Sequence, residues 1–313
     1  MSSDLDTRIR ASERELYAHY GLQPQERTVE LARAGVRVRL TELRPAAGAA
    51  GIPVLLLHGI ASNSAAAAPL LEHMASRWVI AVDWPGHGLS GPAILTRTDS
   101  LREHAVSVLR ELCTTLDISQ ADVVGHSLGG QFGLYLAADS PDIVRRLVLI
   151  GAPGAGFAGV QPVPAMRLLS VPVLGRAMLA APMPRSAYRR NNDTMLGRGV
   201  LDRHPAALTE VGYLAGRRPG FAPSVSSFFR RLITPRRVRD GVALTRDELA
   251  ALAAPTLLVW GTADVFLTPQ AAAASIDAIP DHTLVTIPDA GHLPWLDDAP
   301  LCGRVVADFL APG

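Results

Sequence analysis

Short, uninterrupted apolar runs alternate with segments of helical periodicity along most of the chain, and this alternation constrains the fold more than any other feature. The runs PVLLLHG, WVIAVD, ADVVGHS and RLVLIG occupy residues 53–59, 78–83, 121–127 and 146–151. Runs of this kind suit strands that are covered on both faces. Between the second and third runs lies SLREHAVSVLRELCTTL, whose apolar residues share one helical face. The alternation predicts a parallel sheet with right-handed crossovers.

Two departures from this alternation divide the chain. RTVEL and VRVRLTEL, near the N-terminus, alternate apolar with polar residues and predict an antiparallel hairpin at a sheet edge. Residues 155–250 are rich in proline, arginine and methionine and lack the strand pattern, which resumes at APTLLVWGTADV. The sequence therefore predicts a core built from residues 1–154 and 251–313, with residues 155–250 inserted as a cap.

Composition excludes several functions. The 30 basic and 29 acidic residues nearly cancel, so neither nucleic acid nor an anionic membrane is expected as the main partner. All basic residues are arginine, which excludes lysine Schiff-base chemistry. Cys113 and Cys302 are too few for a disulfide framework or a metal cluster. The N-terminus has no signal-peptide core and no segment predicts a membrane span, so a cytoplasmic location is expected.

The stretch DVVGHSLGGQFG surrounds Ser127 with glycines directly after a predicted strand and before a predicted helix. A serine hydroxyl is a poor nucleophile that needs an adjacent base and an exposed position. Gly125 and Gly129, two residues on either side of Ser127, permit the sharp strand-to-helix turn that gives this exposure. The pattern G-x-S-x-G in this context indicates a nucleophile elbow.

In these motifs the sequence resembles the α/β-hydrolase family. LLLHGIASN, DWPGHGLS, GHSLGG, and the pair WGTAD and AGHLP follow one another in the order that the family has. The resemblance implies a mostly parallel eight-stranded sheet flanked by helices, with a largely helical cap inserted after strand 6. It also implies a serine hydrolase.

The resemblance assigns a catalytic triad in the chain order serine, acid, histidine. Ser127 is the nucleophile and His292, in AGHLP, is the base. Asp264, in WGTAD, is the acid that orients the imidazole. The family's other location for the acid, the loop after strand 6, reads GAPGAG here and offers no carboxylate, while Asp289 fits turn chemistry better.

The same resemblance implies an oxyanion hole made of the backbone N–H groups of Leu128 and Ile60. The expected chemistry is acyl transfer through Ser127, which needs no cofactor and no metal. Hydrolysis of a carboxylic ester, thioester or lactone is the first hypothesis, with a carboxylesterase-like activity.

The expected partner is a small molecule with an apolar acyl group, because apolar side chains of the cap are expected to roof the site. The residues predicted to line this pocket are His126, Phe157, Met166, Met178 and Tyr188.

Two alternatives remain open. The first is hydrolysis of a carbon–carbon bond in a vinylogous diketone, although the loop HGIASNS lacks the glycine-rich oxyanion segment of many such relatives. The second is a ligand-binding protein that keeps the fold without turnover.

Overall fold

The computed structural model describes residues 2–45 and 51–311, which form one eight-stranded sheet with helices on both faces. The strand order is β1-β2-β4-β3-β5-β6-β7-β8. The pairs from β4 to β8 are parallel, whereas β2 runs antiparallel to both of its neighbours. The strands are β1 (Gln25–Leu31), β2 (Val36–Leu43), β3 (Val54–Leu57), β4 (Val79–Asp83), β5 (Ala121–His126), β6 (Val144–Ile150), β7 (Thr256–Gly261) and β8 (His282–Ile287). This architecture confirms the predicted fold class.

The helices connect the strands and cover the sheet. They are α1 (Ser2–His19), α2 (Ala68–Leu71), α3 (Leu101–Thr115), α4 (Leu128–Asp139), α5 (Pro164–Leu169), α6 (Leu174–Ala180), α7 (Arg185–Leu196), α8 (Ala206–Ala215), α9 (Phe221–Leu232), α10 (Arg246–Ala250), α11 (Ala273–Ile276) and α12 (Ala299–Phe309). Over the described ranges, every helix is either too short or too polar to traverse a lipid bilayer.

The central strands are buried on both faces, as their uninterrupted apolar sequences predict. Successive residues of β3 alternate between two apolar clusters, with Leu55 and Leu57 in one and Val54 and Leu56 in the other. All four side chains are at most 4% exposed. Because a strand points successive side chains to opposite faces, the two clusters lie on the two sides of the sheet.

Local sequence also sets where elements begin and end. Ser100 accepts a hydrogen bond from the backbone N–H of Glu103 and caps the N-terminus of α3. In the segment PQAAAASIDAI, only Ala273–Ile276 is α-helical, and the flanking residues form turns.

The segment between β6 and β7 carries α5 to α10, and we propose that residues 155–250 act as a cap. Helix α9 packs on α5, α6 and α3, while α8 packs on α1. At the end of the segment, Glu248 of α10 pairs with Arg102 of α3 at 2.5 Å, so this end is anchored on the core.

Candidate active site

Ser127 lies at a tight turn between β5 and α4 and has the backbone angles φ 51° and ψ −120°. A positive φ is rare for a residue with a side chain and marks a strained position. The neighbouring glycines make the turn possible. A Cβ atom on Gly125 would lie 2.5 Å from the carbonyl oxygen of Gly129, and one on Gly129 would overlap the backbone of Leu57. The turn has the strand-to-helix context of a nucleophile elbow.

Asp264 and His292 meet at the carboxyl ends of the neighbouring strands β7 and β8. Oδ2 of Asp264 lies 2.8 Å from Nδ1 of His292. Both side chains are buried, with 2% and 5% exposed. Although burial by itself raises the pKa of Asp264, the nearby His292 and the hydrogen bonds to the carboxylate bring that pKa below its ordinary value. Asp264 is therefore a carboxylate at neutral pH, and its contact with Nδ1 places the imidazole proton on that nitrogen.

The loop after β6 supports this carboxylate with its backbone. The N–H of Ala152 donates to Oδ2 of Asp264 at 2.9 Å, and the N–H of Phe266 donates to Oδ1 at 3.0 Å. Gly151 has a φ of 65°, and a Cβ there would approach the carbonyl oxygen of His292 to 2.6 Å. The GAPGAG loop thus supplies one backbone donor, from Ala152, and the space at Gly151, where it offers no carboxylate.

His126, the residue before Ser127, connects the elbow with the histidine loop. Its ring centroid lies 4.7 Å from that of His292, and its Nε2 lies 3.1 Å from the His292 carbonyl oxygen. Within the described part of the chain, Nε2 of His292 has no hydrogen-bond partner. Catalytic hydrogen bonds in unliganded enzymes are often long and tighten only when substrate binds, so this geometry leaves Ser127 and His292 as candidate partners.

The loop after β3 approaches the same turn. A Cβ atom on Gly59 would lie 3.0 Å from both Cβ of Ser127 and Nδ1 of His126. His58 fixes this loop, because its Nε2 accepts from the N–H of Trp84 at 2.9 Å and its Nδ1 donates to the Gly59 carbonyl at 2.7 Å. The loop next to Ser127 is therefore held by side-chain and backbone contacts.

The two expected oxyanion donors are the residues that directly follow Ser127 and Gly59 in the chain. Leu128 is the first residue of α4, where backbone N–H groups have no partner within the helix. Ile60 follows Gly59 and is half-buried against the core. Their backbone N–H groups remain the predicted oxyanion hole.

Of the residues predicted to line the pocket, His126 lies beside His292, and the other four lie in the core or in the helices of the insertion. Phe157 is 1% exposed and packs in the core with its ring 6.1 Å from that of Trp260. Met166 packs on the same core cluster, and Met178 is half-buried in α6. Tyr188 packs on α8, with its ring 5.7 Å from that of Tyr213.

Three residues that contact His292 or His126 were missed by the sequence analysis. The ring of Phe266 lies 4.5 Å from that of His292, and the ring of Trp295 lies 4.8 Å from that of His126. The N–H of His292 donates to the carbonyl of Met195, at the end of α7, at 3.1 Å. Phe266 and Trp295 could have been found, because each follows the acid or the base by two or three residues. Met195 carries no such signal.

Among the described residues, no group of three or more His, Cys, Asp or Glu side chains is placed to hold a metal ion.

Comparison with known proteins shows that the chain belongs to a known family. The sequence model of the alpha/beta hydrolase fold matches residues 52–299. The 2-hydroxymuconate semialdehyde hydrolase of Pseudomonas sp. (strain CF600) is 33% identical over 291 residues, which cover 90% of this chain and 93% of the relative.

Solved structures share the fold at lower identity. The carboxylesterase CesB from Bacillus subtilis superposes with a TM-score of 0.76 at 20% identity and covers 99% of each chain. The 2-hydroxy-6-oxo-6-phenylhexa-2,4-dienoate hydrolase from Rhodococcus sp. strain RHA1 superposes with a TM-score of 0.75 at 19% identity, covering 92% of this chain and 99% of its own.

Proposed function

The chain belongs to the α/β-hydrolase fold family, and from that premise we propose that it is a serine hydrolase that cleaves a carboxylic ester, thioester or lactone through an acyl-enzyme on Ser127. The observation that carries the proposal is the buried contact of 2.8 Å between Asp264 and His292, beside the strained turn of Ser127. Because the carboxylate binds the proton on Nδ1, the other imidazole nitrogen is free to accept the serine proton.

In the proposed cycle, Oγ of Ser127 attacks the substrate carbonyl carbon as its proton passes to Nε2 of His292. The N–H groups of Ile60 and Leu128 stabilise the resulting oxyanion. The tetrahedral intermediate then expels the alcohol or thiol, which takes the proton from His292. A water molecule, deprotonated by the same nitrogen, attacks the acyl-enzyme and releases the carboxylic acid.

The surroundings of the base favour an apolar acyl substrate. Phe266 contacts His292 edge-on, and Trp295 contacts His126 in the same way. Burial, together with the nearby His292, lowers the pKa of His126 well below its ordinary value, so this side chain is neutral. The groups in ring contact with the base therefore add no charge to attract an anionic substrate.

A second candidate is hydrolysis of a carbon–carbon bond, which the sequence relatives favour. Relatives at 33% and 32% identity are named 2-hydroxymuconate semialdehyde hydrolases. Hydrolysis of such an unsaturated carbon chain breaks a carbon–carbon bond and would use the same serine and base. This substrate carries a carboxylate, for which the rings of His126 and Phe266 beside His292 offer no positive charge.

Steady-state kinetics with two substrate series distinguish these candidates. One series contains p-nitrophenyl esters of increasing acyl length, and the other contains 2-hydroxymuconate semialdehyde and a phenyl-substituted dienoate. We expect higher kcat/KM for the esters, and we expect Ser127→Ala to abolish turnover while the protein stays folded. Higher kcat/KM for the dienoates would favour the second candidate. Undiminished turnover by Ser127→Ala would refute the serine mechanism.

A further inference from the structure

The main chain of His292 is bound from two sides. Its N–H donates to the carbonyl of Met195, and its carbonyl oxygen lies 3.1 Å from Nε2 of His126. Because a carbonyl can only accept, Nε2 of His126 carries the proton and Nδ1 does not. The ring of His292 also contacts Asp264, so three groups of His292 are held: its N–H, its carbonyl oxygen and its imidazole.

His126 is well placed to keep this bond. It is the last residue of β5, where it pairs with Ile150 of β6, and it is 8% exposed. Its ring packs at 4.7 Å on His292 and at 4.8 Å, edge-on, on Trp295. Trp295 is itself anchored by a hydrogen bond of 3.1 Å from its Nε1 to the carbonyl of Ala66. The imidazole therefore has little freedom to rotate away from the His292 carbonyl.

The cavity that His126 borders does not fit a substrate. It has a volume of about 20 Å³, and Trp295, Asn63 and apolar side chains of β3 and β5 also line it. A cavity of this size holds one water molecule at most, whereas small-molecule sites typically span about 300–1,000 Å³. This cavity therefore does not explain a buried histidine at this position.

We propose that His126 is a positioning residue: its Nε2–H holds the carbonyl of His292 and so aims the base at the serine that follows His126 in the chain. This proposal rests on the proposed function. The hydrogen bond from His126 to the His292 carbonyl is called the clamp below. One turn then carries both Ser127 and this clamp, so movement of the serine is coupled to movement of His292. Neutrality of His126 suits this role, because a charged neighbour would oppose the positive charge that forms on His292 during acyl transfer.

Two amide variants test the clamp. The side-chain nitrogen of glutamine is the same number of bonds from Cα as Nε2 of histidine, whereas that of asparagine matches Nδ1. His126→Gln can therefore donate to the His292 carbonyl, and His126→Asn donates from the position that faces Gly59. Both variants are neutral and polar. If His126→Asn does not fold, His126→Met replaces it, because methionine has similar length and cannot donate.

The measurements are kcat and KM for a p-nitrophenyl ester and the rate at which a fluorophosphonate modifies Ser127, with melting temperatures as a check of folding. For the Asn or Met variant, we expect kcat and the rate of fluorophosphonate modification to fall by up to about 100-fold, while KM changes by no more than about twofold. For the Gln variant, we expect kcat and the modification rate to stay within about threefold of those of the protein without a substitution.

Equal effects of the Gln and Asn variants, or a change confined to KM, would overturn the clamp and leave the proposed function intact. If a fluorophosphonate does not label the protein that carries no substitution, both the positioning role of His126 and the proposed function would be overturned. No activated serine would then exist for His292 to deprotonate.

Discussion

Replacing Asp264 by asparagine tests the assignment of the acid. The carboxylate accepts three hydrogen bonds, from Nδ1 of His292 at 2.8 Å and from the N–H groups of Ala152 and Phe266 at 2.9 and 3.0 Å. An asparagine amide has one oxygen, so its nitrogen must face one of the two backbone N–H groups in either orientation. One buried N–H is then left without an acceptor, which costs about 1–3 kcal/mol of stability.

The catalytic effect is expected to be larger. Asparagine removes the negative charge that stabilises the imidazolium, and in one of its two orientations it also moves the proton to the wrong nitrogen of His292. In Ser-His-Asp enzymes this substitution lowers kcat by about 10⁴, which corresponds to about 5.4 kcal/mol of transition-state stabilisation. We expect a loss of this order for Asp264→Asn.

The assay is turnover of a p-nitrophenyl ester under saturating conditions, combined with urea unfolding to measure the free energy of unfolding. Asp289→Asn is the matched control. Asp289 lies close to His292 in sequence but is exposed in a turn with a φ of 59°. It should keep its activity. An Asp264→Asn protein that retains more than about a tenth of kcat would refute the role of Asp264.

Four further outcomes are expected. Gly125→Ala should lose activity and about 1–3 kcal/mol of stability, because its Cβ meets a carbonyl oxygen at 2.5 Å; an unchanged melting temperature would contradict this. Arg39→Met should lower the free energy of unfolding in urea by about 3–5 kcal/mol, because the buried carboxylates of Glu13 and Asp83 lose their positively charged partner. An unchanged free energy of unfolding would show that these carboxylates do not need the guanidinium. Burial raises the pKa of Cys113 to about 11 and that of Cys302 to about 12, so iodoacetamide at pH 8 should modify them only after denaturation, as mass spectrometry would report. Burial and the nearby His292 hold the pKa of His126 well below its ordinary value, so the NMR signals of its imidazole should not titrate at about pH 6.5, where an ordinary histidine does; a transition there would contradict its neutrality.

The predicted fold follows from local patterns. A strand buried on both faces is apolar at most positions, and the runs VLLL, VIAV, LVLI and LLVW of β3, β4, β6 and β7 carry that pattern in a few residues each. The turn at Ser127 is likewise local, because its glycines are required by contacts between residues close in sequence. Asp264 and His292 come together because both follow adjacent parallel strands.

The pocket could not be predicted in the same way. Whether Met166 or Tyr188 faces the substrate depends on how the helices of the insertion dock on one another, and neither the six apolar-rich residues of α5 nor the polar sequence of α7 determines that packing. Phe157 illustrates the problem, because a phenylalanine of the insertion packs on Trp260 in the core. The contact between Met195 and His292 joins residues nearly a hundred positions apart through backbone atoms, which leave no trace in the side-chain pattern.

Trapping the acyl-enzyme tests the central claim most directly. The protein is mixed with p-nitrophenyl acetate, quenched in acid within one turnover and digested, and the peptides are analysed by mass spectrometry. We predict an acetyl group on the peptide that contains Ser127, localised to that residue by fragmentation and absent when Ser127→Ala is treated in the same way. Rapid turnover of the ester with no acetyl group on Ser127, or with acetylation at another side chain, would contradict the account.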